Sequence, residues 1–551
     1  MKVVIVGGVA GGASAAARLR RLDETAEIIM FERGEYISFA NCGLPYYVGG
    51  TIKKRASLLV QTPKAMHRRF NIEVRTLSEI VRIIPESKEV EVQNHQTGEV
   101  YRESYDNLVL SPGAAPVIPP VPGVDLTGVF TIRNVPDSDA VKAYIENTQP
   151  QSAAVIGAGY IGLEMVEVLL QQNVKVHLIE AGTQVMGTLD VDMASIVQQY
   201  LKKQGVNLYL NSLAEALEGE GQVQAVRLAG GDKINADVVI LGAGVRPEVK
   251  LAKEAGLAIG STGGIQVDDF LKTSDPFIYA VGDAIQVKHY VTGQEVLIPL
   301  ASPANRQGRI VADNIAGRPI PYKGAQGTGI VRVMDLVIGV TGANEKTLKS
   351  RGIEYLSCHT HPFPHATYYP GGRQMAAKLL FAPATGKVLG AQIVGSEGVD
   401  KRIDVLATAI RAGMTVFDLQ ELELAYAPPF SSAKDPVNML GYTAGNIING
   451  DVESVAWEQV PDLVTKGGLL IDVRTPREIE SGGVEGAINI PVDDIRERLA
   501  EIPQDRPILV TCQVGIRAYV ANRILRQKGY KVYNISGGYM SYKAFKANRN
   551  K

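Results

Sequence analysis

One pattern constrains this chain more than any other. A β-branched run breaks into glycines and then into small residues, twice: KVVIVGGVAGGASAAARLRRL (2–22) and SAAVIGAGYIGLEMVEVLL (152–170). Each stretch predicts a buried strand, a tight turn and a helix. Such a turn leaves backbone N–H groups and the positive end of a helix free to hold a pyrophosphate. A second strand follows each, EIIMFERG and VKVHLIEAG, ending in Glu32 and Glu180. An acid about twenty residues past the glycines is placed to accept from ribose hydroxyls. Two parallel-sheet dinucleotide folds in one chain are therefore expected.

The first turn supplies Gly7, Gly8, Val9, Ala10 and Gly12, with Val9 where the usual pattern has its middle glycine. The second is regular, with Gly157, Gly159 and Gly162 enclosing Tyr160 and Ile161. Glu180 accepts from a 2′-hydroxyl and repels a 2′-phosphate, which favours NADH without excluding NADPH. Two nucleotide sites suggest a relay of hydride and electrons. YDNLVLSPGAAP (105–116) and ADVVILGAGVRP (236–247) each run a strand into a Gly/Pro turn, as chain crossings between two domains do. In FIYAVGDA (277–284), Asp283 follows a strand and a glycine. It is placed either to hold a ribityl or pyrophosphate group or to cap a helix.

At 551 residues the chain is too long for a single core. Its net charge of −1 gives no pull toward nucleic acid or anionic membranes. No segment has the roughly 20 apolar residues of a membrane span. The N-terminus enters a strand pattern directly, so a cytoplasmic protein is expected. Three widely spaced cysteines, Cys42, Cys358 and Cys512, make neither a disulfide framework nor a zinc site.

The segments GGVAGG, GAGYIG and VGDA, with the cysteine of SFANCGLPYY (38–47), resemble the flavin-dependent pyridine nucleotide-disulfide oxidoreductases. The resemblance spans about residues 1–445. It implies FAD on the first fold, with Arg33 and Ala301 beside the residues named above, NADH on the second, and a homodimer. Many members of that superfamily pair two cysteines as C-x-x-x-x-C. Here Tyr47 stands in the second position, so no local dithiol forms. The missing sulfur must come from a substrate thiol as a mixed disulfide, or an oxygen must serve as in a sulfenic acid. A lone cysteine in SFANC resembles two subgroups, the coenzyme A-disulfide reductases and the NADH oxidases and peroxidases.

Coenzyme A carries phosphates, and its site needs cations. Arg18, Arg20 and Arg21 lie along the first helix, and Arg68 and Arg69 follow, although such clusters also form plain solvated faces. The resemblance implies substrate contacts at Ser14, Arg18, Arg21, Ser38, Asn41 and Lys434, with Asn41 also helping to position the Cys42 thiolate. Asn305 stands where a member of the group has histidine and is left out of this set. HATYYPGG (365–372) and LAYAPPFSSAKD (424–435) resemble segments that bring tyrosine hydroxyls from the partner subunit. On that match Tyr368 and Tyr426 serve the leaving thiolate, with Tyr369 the neighbouring alternative; turn packing is the bland one.

Near the C-terminus, LLIDVRTPREIESGGVEGAINIPVDDI (469–495) and RPILVTCQVGIRAYVANRILRQKGY (506–530) start a new α/β pattern. Cys512 ends a strand and GIRA opens a helix. Amides from Gln513 to Arg517 are expected to form a nest around the sulfur. The helix end and Arg517 are expected to lower its pKa. DVR, GAINIP, CQVGIR and SGGY resemble the rhodanese domain, whose matching cysteine carries a persulfide. A phosphatase loop is the rival, but it usually places its arginine six positions after the cysteine, whereas Arg517 is five after. Cys358 sits near His359, His361 and His365, a run without acidic ligands, and no metal is expected.

The expected fold class is α/β: two Rossmann-like domains, an α+β dimerisation domain and an α/β rhodanese domain. The expected boundaries are 1–115 and 246–322 for the FAD domain and 116–245 for the NAD(P)H domain. They continue with 323–445 for dimerisation, 446–460 as a linker and 461–551 for the rhodanese domain. The expected enzyme reduces coenzyme A disulfide, and a coenzyme A persulfide or polysulfide, through coenzyme A bound covalently to Cys42. Alternatives are an NADH oxidase or peroxidase, and a redox-sensing or sulfur-carrier scaffold.

Overall fold

A computed structural model describes residues 1–549. The chain divides into two compact units, 1–183 with 206–327, and 184–205 with 328 onward.

In the first unit, β1 (Lys2–Val6), α1 (Ala10–Leu22) and β2 (Glu27–Glu32) form the first strand–turn–helix–strand. Val3, Val4 and Ile5 are fully buried, as expected of a parallel strand covered on both faces. β1 lies at the centre of a five-stranded parallel sheet, between β2 and strand Asn107–Leu110. Strand Ile278–Ala280 joins one edge of this sheet and carries the chain to Asp283. After β2, a single 3-10 turn, Asn41–Gly43, runs into α2 (Leu44–Val48).

The second dinucleotide fold repeats the plan. β3 (Ser152–Ile156), α3 (Tyr160–Gln171) and β4 (Lys175–Ile179) enter another five-stranded parallel sheet. The two predicted crossings pair with each other: Ala114–Pro116 runs antiparallel to Val245–Pro247, with Ala115 opposite Arg246. The chain leaves this unit at 184–205, which holds α4 (Val191–Lys203), and returns to supply α5 (Ala301–Ile315), packed along α1.

The second unit holds a five-stranded antiparallel sheet that includes β5 (Leu356–Thr360) and β6 (Ala376–Phe381). It also holds a five-stranded parallel sheet with β7 (Leu469–Asp472) and β8 (Ile508–Thr511), followed by α6 (Ile516–Arg526) and α7 (Gly538–Arg549). Within the stretch 446–460, expected to be a linker, Glu453–Val455 forms an edge strand of this sheet and pairs with Val532–Ile535. Trp457 is buried and donates from Nε1 to the Gly538 carbonyl at 2.8 Å. Its polar, aperiodic composition suits an edge strand too short to show alternation. The α/β architecture agrees with the expected fold class. Among the described residues, no helix is long and apolar enough to cross a membrane.

Candidate active site

The glycine turns have the shape their chemistry needs. Gly7 (φ +90°) and Gly157 (φ +104°) adopt the left-handed conformation that favours glycine. A side chain at Gly12 or Gly162 would strike the carbonyl of Gly7 or Gly157, so helix and strand approach each other only with glycine there. The middle position makes no such demand. Val9 precedes α1 at φ −98° and Gly159 precedes α3 at φ −84°, which explains why valine is tolerated. Neither position caps its helix with a side chain, so the first amides stay available to an anion. The acids behave alike. Glu32 accepts from the amides of Gly8 and Gly34, each at 3.0 Å, and Glu180 from those of Ala158 (2.8 Å) and Gly182 (2.7 Å).

A cleft of about 1910 Å³ opens at the first turn. Gly7, Val9, Ala10, Glu32 and Arg33 line it, and so do Asp283 and Ala301. Gly8 and Gly12 sit buried beneath. Asp283 lies in a 3-10 turn, Gly282–Ala284, and begins no α-helix, which removes the capping alternative. Burial pushes its carboxyl up to about 6. Arg33 lines the cleft ion-paired to Glu248 at 2.8 Å. The free helix end, the acid at the end of β2 and the long cleft fit a dinucleotide such as FAD.

Cys42 lines the same cleft and is accessible from it, with Ser38 and Asn41 beside it. Ser38 holds a left-handed φ of +45°, and its amide donates to the Gly8 carbonyl at 2.7 Å. This non-glycine strain ties the cysteine loop to the glycine turn. Partial burial pushes the Cys42 thiol up, and the carboxylates of Glu164 and Asp283 add to it. Tyr47, in place of a second cysteine, donates its hydroxyl to Asp139 at 3.1 Å, and Arg55 grips the same carboxylate at 2.8 Å.

The basic face of α1 divides. Arg18 and Arg21 line the cleft while Arg20 is buried, bonded to the carbonyls of Phe70 and Asn71. Arg18 is not a free cation, because its guanidinium is ion-paired at 2.6 Å to the buried Asp313 of α5. Ser14 donates to Asn305, the residue left out of the expected set. The missed signal was spatial: α5 enters the cleft from almost three hundred residues away.

In the second unit, the hydroxyls of Tyr368 and Tyr426 are hydrogen-bonded at 2.7 Å, and both side chains are exposed. That bond raises the Tyr368 phenol. Tyr369 instead sets its ring edge-on against His365. Lys434 is exposed just before helix Pro436–Ile448.

Cys512 follows β8 and is fully buried. The Gly515 amide donates to its sulfur at 3.1 Å, in a loop ending at Gly515 with φ +110°. The expected cradle differs at Arg517, whose guanidinium turns to Glu478 in two hydrogen bonds of 2.6 and 2.7 Å. Glu478 is set there by its own capping box with Thr475. A Thr-x-x-Glu spacing is a legible signal that the reading of Cys512 passed over. Arg474 also escaped notice. It is buried against Asp472 at 2.7 Å, stacks over Tyr539 at 3.9 Å and reaches Gln513.

The Cys358–His365 run does not converge. Cys358 lies 3.9 Å from the Leu440 carbonyl, and burial pushes its thiol up to about 12. His359 bonds Asp192 at 2.6 Å, burial pushes His361 down to about 3, and His365 bonds the Ala366 carbonyl.

Residues 1–308 match the family model for pyridine nucleotide-disulphide oxidoreductases. Residues 329–436 match the dimerisation domain of that family, and 456–545 match the rhodanese-like domain. The crystal structure of reduced Bacillus anthracis CoADR-RHD is 53% identical, superposes with a TM-score of 0.97 and covers 98% of each chain. A NAD-dependent persulfide reductase from A. fulgidus is 37% identical with a TM-score of 0.92, covering 98% of this chain and all of its own. A coenzyme A disulfide reductase of Staphylococcus epidermidis is 37% identical over 444 residues, 80% of this chain and 99% of the relative. The chain thus belongs to the pyridine nucleotide-disulphide oxidoreductases, as an oxidoreductase that carries a rhodanese-like domain behind its dimerisation domain.

Proposed function

We propose that this protein is an FAD-dependent NADH oxidoreductase that reduces coenzyme A disulfide and coenzyme A persulfide through a mixed disulfide on Cys42. One observation carries the reading: an accessible cysteine lines the dinucleotide cleft, and a tyrosine fills the place of its usual partner. With no neighbouring thiol, the second sulfur has to come from the substrate. The relatives named as a coenzyme A disulfide reductase and a persulfide reductase support this substrate class.

The Cys42 thiolate attacks one sulfur of the disulfide. A Cys42–sulfur bond forms, the substrate S–S bond breaks, and a thiolate leaves. FAD, held at the glycine turn with Glu32 and Asp283 lining the cleft, would supply two-electron chemistry between NADH and such a disulfide. Overall, NADH, one proton and RSSR give NAD⁺ and two RSH; with a persulfide, RSSH gives RSH and H₂S. Ser14, Arg21, Ser38 and Asn41 hold the substrate along the cleft, and Lys434 contributes a further cation. Tyr368 and Tyr426, from the partner subunit of a homodimer, protonate the leaving thiolate. Glu180 favours NADH over NADPH. Cys512 carries sulfane sulfur as a persulfide and supplies it to the reductase. A cytoplasmic setting suits thiol chemistry of this kind.

Mass spectrometry of the purified protein tests the reading. A coenzyme A or persulfide adduct on Cys42, with disulfide turnover lost in Cys42→Ser, is expected. A sulfenic acid on Cys42, with peroxide consumed faster than disulfide, would replace it with the oxidase–peroxidase alternative. Full NADH-dependent disulfide reduction by Cys42→Ser would overturn both.

A further inference from the structure

The exposed tyrosine pair grows out of a buried base. Tyr368 and Tyr426 lie on two irregular segments of the second unit, one after β5 and one before helix Pro436–Ile448. Between them stands Arg402 of helix Val399–Ala412, only 1% exposed. A guanidinium removed from water is costly unless its donors are met. Here they are met from both segments. Nη2 donates to the Pro364 carbonyl at 2.8 Å, on the first segment. The same nitrogen donates to Ser431 Oγ at 3.1 Å and to Asp435 Oδ2 at 2.9 Å, both on the second. Nη1 donates to the Gly398 carbonyl at 3.2 Å. Gly398 has φ +66°, and a side chain there would strike Nη1, so a glycine is needed for the guanidinium to lie in place.

The two segments are also bonded to each other. The Ala366 amide donates to the Ser431 carbonyl at 3.0 Å, and Ser431 Oγ donates to Asp435 Oδ2 at 2.6 Å. From this base a short turn leads to each tyrosine. The Tyr369 amide donates to the Ala366 carbonyl at 3.0 Å, and the Ser431 amide to the Ala427 carbonyl at 3.1 Å. The tips then meet in the Tyr368–Tyr426 hydrogen bond. Tyr368 is 74% and Tyr426 48% exposed, so little packing fixes either ring. What brings the phenols together is the base.

We propose that Arg402 is a positioning residue for the reductase reaction: by tying Pro364, Ser431 and Asp435 to one buried guanidinium, it holds Tyr368 and Tyr426 as a single proton-donating unit. Arg402 acts through the phenols and touches no substrate. The demand for arginine is geometric. Its planar fork serves two segments at once, whereas a lysine ammonium is a compact point charge on a flexible stem. Asp435 neutralises the guanidinium where it lies, and Lys434 leaves the chain directly before that ion pair.

The inference rests on the proposed role of the two tyrosines toward the leaving thiolate. Its test is stopped-flow reoxidation of the NADH-reduced, flavin-loaded full chain by two disulfides. Coenzyme A disulfide releases an alkyl thiolate, which needs a proton. Dithiobis(nitrobenzoate) releases an acidic aryl thiolate, which does not. Arg402→Lys is expected to slow reoxidation by coenzyme A disulfide roughly 10- to 100-fold, as misplaced catalytic groups do. Reoxidation by the aryl disulfide and flavin reduction by NADH are expected to stay within about twofold of the parent. Combined with Tyr426→Phe, Arg402→Lys is expected to add less than about twofold to the loss, because both act on one unit. Should Arg402→Lys not fold, Ser431→Ala takes its place with a several-fold slowing and is judged by the same outcomes. Equal slowing with both disulfides overturns the proposal, since a general disturbance does not sense the leaving group. A fully multiplicative loss in the double variant overturns it too, as does a parent rate with coenzyme A disulfide. Failure of the function itself reads differently, as turnover retained by Cys42→Ser.

Discussion

Ser14 on α1 donates its hydroxyl to Oδ1 of Asn305 on α5 at 2.6 Å. The amide is fixed from its other side as well, since Asn305 Nδ2 donates to the Ala301 carbonyl at 2.9 Å. Two helices far apart in sequence thus present one polar pair to the cleft that holds Cys42. Asn305 is therefore expected to orient Ser14 toward substrate. Asn305→Ala should raise KM for coenzyme A disulfide several-fold and leave kcat within about twofold, since loss of one neutral hydrogen bond is worth about 1 kcal/mol. Steady-state kinetics with varied disulfide measures it. A fall in kcat at unchanged KM would contradict this role.

The Tyr368–Tyr426 hydrogen bond at 2.7 Å places two phenols where either one supports the other. If they protonate the leaving thiolate, Tyr426→Phe should lower kcat about 10²-fold, within the usual range for general-acid loss. The double variant should be little worse than the single one, because the pair acts as a unit. Tyr369→Phe, whose ring packs on His365, should leave kcat unchanged. Stopped-flow traces of enzyme reoxidation by disulfide separate these cases.

Glu478 neutralises Arg517 beside the Cys512 loop. Glu478→Gln should free the guanidinium for an anionic sulfur donor. The KM for thiosulfate in a sulfur-transfer assay is expected to fall two- to tenfold. A raised KM would mean that Glu478 holds Arg517 in its working position.

The same pair has a pH signature. The Arg517 hydrogen bond, with help from Thr475, holds the Glu478 carboxyl down to about 2 from its ordinary 4.5. The unfolded chain therefore takes up this proton first as pH falls. The stabilisation is fully present above about pH 4.5 and is lost toward pH 2. The pair is partly exposed and screened, so no more than about 1 kcal/mol is at stake. The difference in melting temperature between the parent protein and Glu478→Gln should narrow steadily across that window.

Lys378 is 2% exposed and serves three carboxylates, Asp190 at 3.1 Å, Asp192 at 2.9 Å and Glu345 at 2.8 Å. His359 bonds Asp192 from the other side and Ser536 at 3.0 Å, next to the turn that backs the Cys512 loop. Lys378→Met should leave this group of acids without its central cation, a loss of about 3–5 kcal/mol by analogy with broken buried pairs. Urea unfolding followed by circular dichroism checks it.

Much of this was legible in the chain. Both dinucleotide folds follow from runs such as KVVIV and SAAVI, because a β-branched strand buried on both faces leaves an unbroken apolar signature. Gly7 and Gly157 were legible because a left-handed turn admits few other residues. The strand Glu453–Val455 was not, since three residues are too few to show a period.

The sequence by itself determined which residues are the candidates for chemistry: Cys42 without a second thiol, two acids at the strand ends, and Cys512 at a strand-to-helix turn. Those are local facts, set by bonded neighbours and backbone sterics. Only the tertiary structure decided how the charges are spent. Arg18 turns to Asp313, Arg517 to Glu478, Ser14 to Asn305, and Tyr46 to Glu164. Each of those partners lies 39 or more residues away along the chain. A charged or polar side chain pairs with whatever the fold brings within about 3 Å, because an unpaired group removed from water is costly. That distance is a property of packing, and no spacing along the chain encodes it.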